Sequence, residues 1–251
     1  MPVGGPPGEG APRRHGPGSG GSLTAALARW GRLLALEAAV AVGPEAALPV
    51  VALIVVTGLH LTGPAAGPES WRALFVENCA SLLPVGVALA LVPALLRDAE
   101  HGTLEAAVSL PARGVAAARL AVLLGGGAVL ATVWLAALAA FWGPVAYFAG
   151  LYAAMGPALF LGGLGVVAAT LAGRATVGYL TVIGWALGDL VLRLLGAFHA
   201  VGGLQWLDVF AYRWPAPGPG WRAVTAVQGG VGAVLLAQAA LRARALLRRL
   251  L

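Results

Sequence analysis

Lysine is absent from this chain of 251 residues, and all 16 of its basic residues are arginine. A phosphate-binding Walker loop ends in Gly-Lys-Ser/Thr, whose ammonium reaches the nucleotide phosphates, and a Schiff-base enzyme needs a lysine amine. Neither chemistry can be housed here. Charge of any kind is scarce, at 10% of residues against about 25% in an ordinary soluble domain. With 59% of residues hydrophobic, there is too little charge to cover a surface that faces water. Cysteine is nearly missing too. The single Cys79 excludes an internal disulfide and the zinc and iron–sulfur sites that need several thiolates. At the head of an apolar run it reads as a small packing residue. The formal charge of +6 does not point to nucleic acid, because the arginines form no long stripe with aromatics interleaved.

What is present is long apolar sequence. Residues 1–22 are mostly Gly, Pro, Ser and Ala around Arg13, Arg14 and His15, too little apolar area to offset ordering, and are expected to be a disordered cytoplasmic tail rather than a signal peptide. Residues 23–37 have helical periodicity, with Leu23, Leu27, Trp30 and Leu34 on one face and Arg29 and Arg32 away from it. This is the pattern of an amphipathic helix lying on the inner leaflet. An early extension of the first membrane span is the alternative. The remainder, 38–251, is expected to be a six-span domain, since each crossing needs about 20 apolar residues. The first span is placed at about 44–61 and the second at about 79–96. From Leu120 through Gly173 there is no acid, arginine or histidine, a stretch suited to two helices joined near Gly143, Pro144 and Gly150. The fifth span is placed at 175–195 and the sixth at 223–241. Small residues four apart, at Gly165, Ala169 and Gly173 and at Gly229, Ala233 and Ala237, read as helix-packing faces.

The arginines orient this layout, because cytoplasmic flanks carry the excess of positive charge. Arg72, Arg213 and Arg222 fall outside, Arg193 lies in the outer part of the fifth span, and the others take the inside. The expectation is an all-α, polytopic protein of the cytoplasmic membrane with both termini cytoplasmic and its spans in contact with lipid.

The most informative segment is the inner loop at 97–114. It reads Arg97-Asp98-Ala99-Glu100-His101-Gly102-Thr103-Leu104-Glu105-Ala106-Ala107-Val108-Ser109-Leu110-Pro111-Ala112-Arg113. Gly102 breaks the incoming helix, Thr103 can cap a new one, and Glu105 in its first turn suits the helix dipole. Pro111 stops that helix after about two turns. A short helix presenting Leu104, Val108 and Leu110 to the cytoplasm is built to dock in a groove on another protein.

On these residues the chain resembles the permease subunits of ABC exporters of the second type. Their loop at this place has an acid, any residue, an acid, any residue, then Gly-Thr-Leu-Glu, five residues, a proline and a nearby basic residue. Asp98, Glu100, Gly102, Thr103, Leu104, Glu105, Pro111 and Arg113 match it, and Arg119 stands where the family often has lysine. The chain departs from the family at Asp98, where glutamate is commoner, and at Ala106 and Ala107, where bulkier residues are usual. The motif covers only this loop; the similarity of organisation covers nearly the whole chain. The resemblance implies a coupling helix, Val108 included, that receives motion from a separate ABC ATPase. ATP and magnesium would then sit on that partner, with no cofactor in this chain, and the working unit would include a second permease copy or a paralogue. A non-transporting membrane anchor or scaffold that uses the same loop is the other reading.

Ionisable residues within spans are costly and therefore candidates for function. Asp189 and Arg193 lie four apart on the fifth span and are expected to form a mutually neutralising ion pair. His15, His60, His101 and His199 show no metal-ligand spacing, so no metal site is expected. The external segment 196–222 carries Phe198, Trp206, Phe210, Tyr212, Trp214 and Trp221. Aromatics of this density suit the membrane interface, either gating release or simply anchoring.

Overall fold

The computed structural model describes residues 27–35 apart from 29 and 33, 44–62, 81–96, 112–142, 145–213 and 220–250. Every regular element among them is helical. A 3-10 turn at Pro44–Ala47 leads into α1, Leu48–Thr62. Next come α2, Leu83–Leu91, which tightens into a 3-10 turn at Val92–Leu95, and α3, Ala112–Trp142. Then follow α4, Tyr147–Ala172, α5, Ala175–Leu194, and α6, Trp221–Leu250. Four of these, α3, α4, α5 and α6, are long and apolar enough to cross a membrane.

The centre of the bundle is α4. Two-thirds of its apolar window is buried (67%), against 17–39% for the other three long helices. It packs chiefly on α6, α2 and α5. Lipid tails are as apolar as leucine, so close van der Waals fit must hold such helices together. Glycines supply that fit. A methyl group added at Gly232 of α6 would fall 2.2 Å from the backbone carbon of Leu159, and one at Gly156 of α4 would fall 2.3 Å from Cγ2 of Thr225. On the other side, Gly165 of α4 faces Gly178 and Val182 of α5. Between the helices, Leu91, Leu120, Val166 and Leu236 form one buried cluster. Val92, Phe160, Leu161 and Val182 form another.

Helix limits depart from the sequence expectation in instructive places. The third apolar helix begins at Ala112 rather than near Leu120, and so carries Arg113 and Arg119 on its first turns. Gly150, expected in the turn, lies inside α4, which starts at Tyr147. Where neighbouring helices and lipid offer the backbone no other partner, glycine stays helical. The turn from α4 to α5 is tight because Gly173 adopts φ +65, a left-handed conformation free of steric cost only for glycine. On α6, Ala233 and Ala237 are exposed, and the packed row runs through Thr225, Gly229, Gly232 and Leu236. A strict step of four drifts about 40° around a helix each time, so two such steps leave the contact face. Pro93, with no N–H to donate, accompanies the change from α to 3-10 geometry at the end of α2.

Residues described between 27 and 35 are helical, and Leu27, Trp30 and Leu34 on their apolar face are all exposed. The tail at 1–22 lies outside the described residues, as does Cys79.

Candidate functional site

Two places gather polar side chains within this apolar frame. The first is the root of the loop between α2 and α3, expected on the inner side. Asp98, Glu100, Gly102, Thr103, Leu104, Glu105, Val108 and Pro111 lie outside the described residues; Arg113 falls in the first turn of α3. The helices on either side of the loop are described. They are pinned by Arg119, a buried residue of α3 whose Nη1 donates to the Ala94 carbonyl at 2.9 Å. That carbonyl belongs to the 3-10 turn ending α2, where the helical ladder leaves oxygens unclaimed. The charged donor therefore satisfies an orphan acceptor and ties the exit of α2 to the entry of α3.

The second place is the far end of the bundle, where α5 meets residues 196–213, the described part of the segment expected to be external. Past Leu194 the chain turns at Gly196, φ +70, makes one short helix at Ala197–Ala200, turns again at Gly203, φ +87, and closes a 3-10 turn at Leu204–Leu207. It then folds back onto α5 and α6 through Asp208. This carboxylate accepts from the guanidinium of Arg193 through Oδ2. Its Oδ1 accepts from the Phe210 N–H at 3.0 Å, an Asx turn. Its backbone carbonyl accepts from Nε2 of Gln228 on α6 at 2.9 Å. Next to it, Oδ1 of Asp189 accepts from the Val209 N–H at 3.2 Å. The guanidinium of Arg193 also lies over the Phe198 ring, 5.2 Å from its centroid. Asp189, Asp208 and Gln228 are all buried. Burial pushes the Asp208 carboxyl above its ordinary value of 3.8, and the hydrogen bond and charge of Arg193 act against that rise.

Asp189 and Arg193 both belong to this constellation, but the salt bridge of Arg193 runs to Asp208 rather than to Asp189, which accepts from the Val209 N–H; Asp208 and Gln228 are its further members. Asp208 and Gln228 were not singled out from the sequence. One signal was available: Asp208 is the only acid beyond Asp189, so Arg193 had one further carboxylate on its C-terminal side to meet. Nothing in the sequence told Gln228 apart from other polar residues of α6.

Aromatic side chains ring the same end. Tyr152 donates to the Arg222 carbonyl at 2.9 Å, Tyr147 donates to Thr132 at 2.9 Å, and Tyr212 stands edge-on to Trp221 with centroids 4.7 Å apart. The starts of α4 and α6 are therefore laced together where polar tips and apolar rings are both satisfied, as at a headgroup boundary. Among the described residues no three His, Cys, Asp or Glu side chains gather as a metal site.

Helices of this length and composition define a multi-pass membrane protein of all-helical fold. No family model, curated protein or solved structure matches this chain.

Proposed function

We propose that this chain is the membrane-spanning permease subunit of an ATP-driven exporter of the second ABC type. In this reading it crosses the cytoplasmic membrane six times with both ends inside, and it moves its substrate using a separate ATPase subunit. The observation that carries the reading is the pairing of the Gly102-Thr103-Leu104-Glu105 loop motif with the Arg119 tie at the loop's root. A loop that only joined two spans would not need its ends locked. A docking helix must pass a push into the membrane without loss, and a buried charged hydrogen bond between the two flanking helices makes its base rigid. The helix α1 with its leading 3-10 turn rises about 30 Å, enough for a further crossing. The exposed apolar face at Leu27, Trp30 and Leu34 suits a helix lying on the inner leaflet.

The test is purification of the full chain from its native membrane with whatever it retains. Magnesium-dependent ATP hydrolysis is expected in the eluate and is expected to be lost with Leu104→Asp, because a charge would have to enter the partner's groove. Retention of no ATPase, or an ATPase indifferent to Leu104→Asp, overturns the proposal. Retention of a different cytoplasmic protein, with no nucleotide hydrolysis, would identify the chain as an anchor.

A further inference from the structure

On α5, Gly184 and Gly188 stand on successive turns, and a methyl group built on either meets no atom within 4 Å. These glycines do not serve helix contact as Gly232 does; they leave space. The space is a cavity of about 290 Å³ between α5 and the external segment, near the lower end of small-molecule sites, roughly 300–1,000 Å³. Its wall is apolar and aromatic, with Trp185 and Leu192 from α5 and Phe198, Leu204 and Leu207 from the external segment. Among the described residues, Asp189 is the ionisable one that lines it.

One oxygen of that carboxylate is left without a partner. Asp189 is only 3% exposed, and its Oδ2 is buried with no hydrogen-bond partner. Among the described residues of the junction, two buried carboxyls, Asp189 and Asp208, lie by the guanidinium of Arg193, whose salt bridge is to Asp208. With both ionised, one negative charge is left unmatched in surroundings where an isolated charge is expensive. Entry is from the side of the bilayer: Gly184 is exposed, and Leu180, Ile183 and Leu187 around it are exposed apolar residues of α5. Access through lipid, apolar walls and one missing positive charge together specify a ligand.

We propose that this cavity binds a small lipophilic monocation, its charged head held by Asp189 and its apolar body against Trp185, Leu204 and Leu207. An indole face adds attraction for the head. As a binding site this stands without the exporter reading; that the cation is exported cargo rests on it.

Equilibrium dialysis of the solubilised full chain separates the two questions, because it needs no ATPase. The probes are benzyltrimethylammonium, its neutral isostere neopentylbenzene and the anion phenylacetate. Saturable retention of the cation is expected, with the neutral isostere weaker by about tenfold or more and phenylacetate not retained. Asp189→Asn keeps an Oδ1 acceptor for Val209 and is expected to weaken cation binding about tenfold, with the isostere unchanged. Gly188→Leu keeps the charge and fills the space, and is expected to abolish retention of both. Should Asp189→Asn fail to yield monodisperse protein, Gly188→Leu and Gly184→Leu with the three-probe series still decide. Equal retention of cation and isostere, or full cation binding by the leucine variants, overturns the proposal. So does a wild-type chain that retains no cation but loses a dimer on Gly184→Leu, since the glycines would then admit a neighbouring helix.

Discussion

Asp208 holds the external segment by three different means at once: a charge on Arg193, an Asx turn to Phe210 and a carbonyl on Gln228. Its side chain is 1% exposed and that of Arg193 15%. Breaking a buried pair from one side leaves the other charge poorly compensated, at about 3–5 kcal/mol. Asp208→Ala should therefore cost about 3 kcal/mol, the partial exposure of Arg193 placing it at the low end. Thermal unfolding in detergent measures the loss, and hydrogen exchange should show it concentrated in residues 197–213. The pH response has a definite sign. Because burial raises the Asp208 carboxyl above 3.8, the folded protein binds more protons than the unfolded one between those two values. Stability from this residue falls as pH rises through that window and is level above it. The melting temperature of the wild type relative to Asp208→Asn should accordingly increase as pH is lowered through the window. A relative decrease would mean that the attraction of Arg193 outweighs burial.

At the scale of helices, contact between α4 and α6 rests on absent side chains. Gly232→Ala forces a methyl group against the Leu159 backbone and should destabilise by about 1–3 kcal/mol. The same change at Gly230, where a methyl group meets nothing within 4 Å, should be neutral or slightly favourable. A pair of melting curves tests the contrast; equal losses would place the contact face elsewhere. Much at this level was legible in advance. The end of α4 and the start of α5 were visible because Gly173 and Arg174 interrupt an apolar run. The start of α4 was not, since Gly150 looks like a breaker but has only a helical way to satisfy its backbone inside a bundle. The early start of α3 was hidden because Arg119 reads as a flank, whereas its target, the Ala94 carbonyl, is exposed as an acceptor only once Pro93 has tightened the end of α2. Of the outer constellation, Asp189 and Arg193 were singled out from the sequence, but the salt bridge of Arg193 to Asp208 was not. The further members Asp208 and Gln228 come from the external segment and from α6, and only the fold brings these to α5.

For the molecule as a whole, the ends of the helices sort by charge and ring content. Arg174 sits at the turn from α4 to α5, while Tyr152, Tyr212 and Trp221 gather at the opposite end with Asp208. With Cys79 replaced by serine, Gly202→Cys should react with a membrane-impermeant maleimide in intact cells. Arg174→Cys should react only after the membrane is opened. Both positions are exposed, so the opposite pattern would invert the topology. The junction at Asp208 also sets an order of events on the ribosome. Translation delivers α5 before Asp208 exists and well before Gln228, so Asp189 enters the membrane with only Arg193, one turn away on its own helix, to offset its charge. When the external segment emerges, Arg193 engages Asp208 and Val209 gives its N–H to Asp189. The last helix then slides its glycines over α4 and adds Gln228. The four residues that close the finished junction therefore arrive in chain order, and its last hydrogen bond, from Gln228 to the Asp208 carbonyl, waits for the final helix.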